Sequence, residues 1–171
     1  MSSDSIDFAL RTIESIAFSI HAVLGLTEPC TGCLRYAFRD NGAMPSWFWP
    51  VAGAILLLVA YANFSPHDMV VLVVQAYIAA FHTGAVLYHL KLGHSPVVAM
   101  VPSVFVWIAF AVVTIRTTVM VALVGLVVCV LIAMVLAKIL VHPKVQDPLL
   151  EDDGEIDLPE ETARGSYTPI V

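Results

Sequence analysis

Charged side chains are scarce in this sequence: Lys, Arg, Asp and Glu make up 13% of its 171 residues. The eight Lys and Arg are scattered and form no patch, which excludes a nucleic-acid-binding surface. The start also lacks a basic segment, since Ser2-Ser3-Asp4 leads into Asp7, and no A-x-A-like site follows the first apolar stretch. A cleaved secretory leader is therefore not expected. An Arg-rich, acid-poor transit peptide is equally absent, although a mature thylakoid or mitochondrial protein stays compatible with this start. Only three cysteines are present, and no second Cys/His pair lies near Cys30 and Cys33, so a four-ligand zinc site is not expected. No complete catalytic constellation stands out, and no enzymatic activity is assigned.

Apolar side chains are abundant instead. They supply 59% of the residues and raise the mean hydropathy to +0.87, more than one soluble core of this length can cover. A bilayer crossing takes roughly 20 apolar residues, because a helix rises about 1.5 Å per residue and the hydrocarbon core is about 30 Å thick. Five runs qualify: Phe8–Leu26, Trp47–Phe64, Met69–Leu90, Val97–Ile115 and Val119–Val141. Only Arg116-Thr117-Thr118 separates the last two, and one helix through both would be about 60 Å long, so a tight hairpin is expected. Glu28-Pro29 with Asp40-Asn41-Gly42, Ser65-Pro66-His67-Asp68, Gly93-His94-Ser95-Pro96 and His142-Pro143 mark the remaining turns. Trp47 and Trp49 suit an interfacial aromatic belt, and Pro50 falls in a first turn, where its missing N–H costs little.

The expected fold is thus all-α: a polytopic bundle of five transmembrane helices over residues 1–145, followed by a disordered acidic tail over 146–171. Five crossings place Arg35, Arg39, Lys91, Lys138, Lys144 and Arg164 on one side, and Arg11 and Arg116 on the other. The excess of Lys and Arg on cytoplasmic loops then predicts an outside N-terminus and a cytoplasmic C-terminus. The tail is acidic and contains Pro148, Pro159 and Pro169. In it Asp153-Gly154-Glu155 resembles a diacidic export signal, and Tyr167-Thr168-Pro169-Ile170 a Y-x-x-Φ sorting signal. The pair Asp153 and Glu155, with Tyr167 and Ile170, favours a eukaryotic endomembrane or plasma membrane.

Helices in lipid associate through small residues and through polar contacts shielded from lipid. Gly125, Cys129, Ala133 and Ala137 recur every four residues on the last helix, and Ala76, Ala80 and Gly84 repeat that pattern on the third. On the first helix Arg11, Glu14, Phe18 and His21 share a stripe, and on the third Gln75, His82 and His89 are spaced by seven. Polar groups in a membrane turn inward, so the two stripes are expected to meet. Three roles stay open for them: structural pairing, with Arg11 bound to Glu14 or Asp7; a proton path or ligand pocket; and bis-histidine haem ligation by His21 and His82.

Cys30-Thr31-Gly32-Cys33 is a C-x-x-C ahead of a short amphipathic segment, Leu34–Arg39. A helix N-terminus and a nearby Arg favour thiolate and hence thiol exchange, while unreactive cysteines are the plainer reading. A reducing cytoplasmic side argues against a structural disulfide, and Cys129 lies mid-membrane as a packing residue.

Val51-Ala52-Gly53-Ala54-Ile55-Leu56, with Tyr88-His89-Leu90-Lys91-Leu92-Gly93-His94-Ser95-Pro96, resembles the DoxX-like family of four-helix membrane bundles. The resemblance covers about Phe8 to Ile115, including the amphipathic stretch near Arg35–Gly42, and leaves the fifth helix and the tail as additions. Leu56 stands where that family has an acidic residue, and Gly25-Leu26 where it has Gly-Lys-Leu. It implies roles in receptor assembly in the endoplasmic reticulum, in thiol or oxidant handling, or as subunits of quinone-linked enzymes. The first functional expectation is a non-catalytic accessory protein, an assembly factor or small subunit, whose partners are the lipid bilayer and other membrane subunits or further copies of itself. The alternative is a thiol and quinone redox protein using Cys30 and Cys33, with quinone near His82 and His89. A small-solute or proton transporter is the third, although broken helices and repeat symmetry are lacking. No cofactor is predicted; quinone and haem are the chemically open ones.

Overall fold

The computed structural model describes residues 2–38 and 44–140. Within them the chain is all-helical: α1 (Ser3–Thr31), α2 (Cys33–Phe38), α3 (Phe48–Ala62), α4 (Asp68–Lys91), α5 (Pro96–Arg116) and α6 (Val119–Leu140). Four of these, α1, α4, α5 and α6, are long and apolar enough to cross a membrane, which points to a membrane-embedded protein. The acidic tail, with Asp153, Glu155, Tyr167 and Ile170, lies outside the described residues.

Local chemistry sets the helix ends. Ser2 caps α1 by accepting a hydrogen bond from the Ser5 N–H at 3.3 Å, so the helix starts five residues before the apolar run. Gly32, at φ 60°, closes it, a left-handed conformation that glycine adopts without strain. Ser95 caps α5 and Pro96 takes its first position, where proline's fixed φ fits and its missing N–H is harmless. The expected hairpin at Arg116-Thr117-Thr118 is present, with the Thr118 hydroxyl accepting from the Val121 N–H at 3.3 Å to start α6.

The second expected span is shorter than its apolar run. Helix α3 has 15 residues, about 22 Å at the helical rise, against about 30 Å of hydrocarbon. Tight bonds at its exit explain the loss, since the Phe64 and Ser65 N–H groups turn back to Tyr61 and Ala62 and Pro66 then blocks continuation. Even so, α3 joins the two ends of the bundle. Trp49 packs edge-on against Tyr88 at the C-terminal end of α4, and Asn63 meets Arg11 near the start of α1.

The helices form two groups. Helix α1 packs against α3, while α4 packs against α5 and α6. The closest approach within the first group is at Gly25 and Gly53, where a Cβ on Gly53 would lie 2.8 Å from both the Ala22 oxygen and the Leu26 nitrogen. No α1 Cα comes within 8 Å of an α4 Cα among the described residues, so long side chains fill that gap.

The small-residue face of α6 matches the expected one at Cys129, Ala133 and Ala137 and departs from it at Gly125. Ala122, Cys129, Ala133 and Ala137 are buried, with Leu126 half-buried between them, whereas Gly125 is exposed and a Cβ there would meet nothing within 4 Å. The reason is helical geometry: a strict four-residue repeat turns about 40° per step, while steps averaging near 3.6 stay on one face. On α4, Ala80 packs at the core edge, and Ala76 contributes its carbonyl, which the Cys129 thiol donates to at 3.3 Å. Gly84 faces open space.

Gly53→Ala is expected to lower the thermal midpoint of the detergent-solubilised protein, with a cost of about 1–3 kcal/mol for the forced backbone shift. Gly125→Ala and Gly84→Ala should leave the midpoint unchanged or raise it slightly. Parallel melts of the three variants check this, and equal losses at all three would contradict the contact at Gly53.

Candidate functional site: a buried polar network at one end of the bundle

Helix α1 turns a continuous buried stripe toward the other helices: Asp7, Arg11, Glu14, Phe18, Ala22, Gly25 and Glu28. Its first half is polar, and the groups facing it come from three other helices. Asp7 is the centre of the ionic part. Its carboxylate accepts from Arg11 Nε at 2.9 Å, one turn along α1. It also accepts a two-pronged contact from Arg116 at the end of α5, Nε to Oδ1 at 2.9 Å and Nη2 to Oδ2 at 2.8 Å. Arg116 Nη1 reaches the exposed Asp68 at the start of α4. The fork-shaped guanidinium thus links α1, α5 and α4, using the paired geometry that suits arginine.

Asn63, at the C-terminal end of α3, is the centre of the neutral part and is fully buried. Its carbonyl accepts from Arg11 Nη1. Its amide donates to the Arg11 carbonyl at 3.2 Å and to Glu14 Oε2 at 3.0 Å. Gln75 Nε2 on α4 then donates to Glu14 Oε2 at 2.8 Å and to Asn63 Oδ1 at 2.9 Å. One residue therefore ties α1, α3 and α4 together. Beyond it Phe18, His82 and Phe105 pack as a cluster of mutually tilted rings with centroids 4.8 to 5.4 Å apart, and His82 Nδ1 donates to the Ile78 carbonyl at 2.9 Å.

The structure brings Arg11, Glu14 and Gln75 together and sets His82 one step beyond them. It does not bring in His21, which is exposed with Nδ1 bonded to the Ala17 carbonyl of its own helix at 2.8 Å. The close contact at Gly53 fixes the rotation of α1 so that Ala22 and Gly25, not His21, lie beneath α3. His89 is at the opposite end, where its Nδ1 is 2.8 Å from Nδ1 of His94, a hydrogen bond between the two imidazoles. Of the structural pairings, Arg11 takes Asp7 rather than Glu14.

Asn63, Asp68 and Arg116 were not among the expected site residues. Asn63 carried a readable signal, because it is the one amide in an otherwise apolar or aromatic run from Trp47 to Phe64. Arg116 read only as an interruption between two helices. Its partner is 109 residues away, and no spacing rule joins them.

At the other end, the buried Glu28 caps the six-residue α2. Its carboxylate accepts from the Leu34 N–H at 2.6 Å and the Arg35 N–H at 3.0 Å. Those amides directly follow Cys33 in the first turn of α2. Cys30 and Cys33 are both exposed and unbridged. Among the described residues no three of His, Cys, Asp and Glu gather as metal ligands. A cleft of about 180 Å³ between α4, α5 and α6 is lined by apolar residues and by Gln75.

Searches against protein-family models, curated proteins and solved structures give no match for this chain.

Asp7→Asn should be the most damaging single change in the network, because it leaves the buried Arg11 without its carboxylate and the half-buried Arg116 with the exposed Asp68 alone. A loss of about 3–5 kcal/mol is expected for breaking such a buried pair. Asp68→Asn removes a partner whose side chain is 79% exposed and should cost less than about 1 kcal/mol. Unfolding of the two variants in matched detergent measures the difference, and a larger loss for Asp68→Asn would refute this ranking.

Proposed function

We propose that the chain is a non-catalytic accessory protein of a membrane complex, an assembly factor or small subunit that crosses the bilayer five times. The observation that carries this reading is the use to which the polar groups are put. Asp7, Arg11, Asn63, Gln75 and Arg116 are engaged with one another in joining helices, and the cleft between α4, α5 and α6 is almost wholly apolar. What the bundle presents outward is a long apolar surface, on α6 Val121, Val124, Val128, Leu131 and Val135 among others. Such a surface suits lipid and partner helices. The resemblance of 51–56 and 88–96 to the DoxX-like family includes this role among those it implies.

Five crossings follow from treating α3 as a short span whose flanks complete the passage, since it connects the same two levels as its neighbours. Arg11 and Arg116 then belong to the outer level and Arg35, Lys91 and Lys138 to the inner one, giving an outside N-terminus and a cytoplasmic C-terminus. A eukaryotic endomembrane or plasma membrane fits the sorting-like residues of the tail. The thiol and quinone reading has less support. The Glu28 carboxylate occupies the α2 amides beside Cys33, and His82 and His89 lie about 10 Å apart along α4 in separate surroundings.

Two measurements test the proposal. Impermeant labels on tags at the two termini are expected to report opposite compartments; the same compartment for both rejects five crossings. Extraction of native membranes in mild detergent is expected to recover a stoichiometric membrane partner, equally with wild type and with the Cys30→Ser, Cys33→Ser variant. A monodisperse chain with lipid alone rejects the accessory role, and loss of activity confined to the cysteine variant would transfer support to the redox reading.

A further inference from the structure

Glu14 and Gln75 are both fully buried, and each has one oxygen without a hydrogen-bond partner: Glu14 Oε1 and Gln75 Oε1. Their other atoms are committed. Glu14 Oε2 takes both amide donors, from Asn63 and Gln75, and Gln75 Nε2 divides between Glu14 and Asn63. Two neighbouring side chains therefore present unmatched acceptors, and no N–H or O–H of the described chain serves them. A buried acceptor left unmatched has given up its hydration for nothing in return, at a greater cost when it is charged.

The charges around them identify what is missing. On α1 Asp7 and Arg11 pair, Arg116 of α5 pairs with Asp7 and with Asp68 of α4, and the two arginines offset the two aspartates. Helix α3 adds only the neutral Asn63 at this level, and the next titratable group, His82 of α4, packs against Phe18 and Phe105. Glu14 forms no ion pair among the described residues, since Arg11, one turn away on α1, is committed to Asp7 and to the Asn63 carbonyl. An uncompensated carboxylate inside a membrane bundle is expensive, so such groups mark ion or proton sites. We propose that Glu14 Oε1 and Gln75 Oε1 form a site for one monovalent cation, a proton or Na⁺, held within the membrane-embedded part of the bundle. A proton on Glu14 Oε1 would be donated to Gln75 Oε1 and serve both oxygens; Na⁺ would be bound by both as hard oxygen ligands. Ser15 Oγ, 3.4 Å from Asn63 Nδ2, is a further oxygen beside them.

The test is infrared difference spectroscopy of the full-length protein in lipid nanodiscs at about pH 8, where exposed carboxyl groups are ionised, recorded in K⁺ and in Na⁺ buffers. For a proton, wild type shows a carboxylic-acid C=O band that shifts in D₂O, is lost in Glu14→Gln and does not respond to Na⁺. For Na⁺, wild type instead shows a carboxylate band that moves on exchange of K⁺ for Na⁺, and Glu14→Gln abolishes the change. Should Glu14→Gln not fold, Gln75→Leu serves: it is expected to move the acid band to higher frequency by removing its acceptor, or to abolish the Na⁺ response. A Glu14 carboxylate that is ionised and indifferent to Na⁺, or a Gln75→Leu spectrum identical to wild type, overturns the site.

Discussion

A buried amide in hydrocarbon has no water to bond, and Asn63 resolves this by taking its partners from two other helices. Its position is what gives it reach. It sits where α3 ends, so its backbone carbonyl is free of the helix and accepts from Arg11, while its side chain spans to Glu14 and Gln75. Apolar contact alone could not fix this arrangement, since lipid tails compete equally for any Leu or Val. The polar contacts make one rotation and one depth of α1, α3 and α4 better than the alternatives. Arg116 extends the constraint to α5 through Asp7, and the two-residue hairpin carries it on to α6.

The Gly25 and Gly53 contact is the steric counterpart of that constraint. It brings the α1 and α3 backbones together at one level, while the Asn63 network holds them at another, so the pair is fixed at two points along its length. Between α1 and α4 the opposite solution is used. Those backbones stay apart and Glu14, Gln75, Phe18 and His82 occupy the space. At the far end Lys91 Nζ donates to the Ala137 carbonyl at 2.8 Å, tying the end of α4 to the end of α6. Each end of the bundle thus has its own clasp, and the apolar middle needs only to pack.

Much of this was legible in the sequence because hydropathy and helical period are local properties. The apolar runs located α1, α3, α4, α5 and α6, and Ser95-Pro96 and Arg116-Thr117-Thr118 placed their turns. The three-, four- and seven-residue spacings put Arg11, Glu14, Gln75 and His82 on faces that meet. What failed was rotation about a helix axis. His21 and Gly125 each lie at the edge of an apparent stripe, and which edge is buried depends on where a neighbour makes its closest approach. That was decided by Gly53 for α1 and by the drift of a four-residue repeat for α6. The extent of α3 also depended on more than apolarity, because the turn bonds after Asn63 end the helix before the hydrophobic run does. Asp7 to Arg116 was out of reach for a different reason: it joins residues 109 apart in the chain, and only the assembled bundle makes them neighbours.

The division of labour within the network bears on what the chain does. The ionic half is neutral as a set, closes on itself and ends at the exposed Asp68, so it holds helices together and has little left to offer a ligand. Glu14 differs from every member of that half in forming no ion pair, and it lies on the inner side of Asp7, toward the aromatic cluster of Phe18, His82 and Phe105. A single cation there would complete the charge balance of the whole network without disturbing any bond that joins the helices. An accessory role and an internal cation site are therefore compatible. The first depends on the apolar exterior and the second on one carboxyl group and one amide, and the loss of either would leave the other intact.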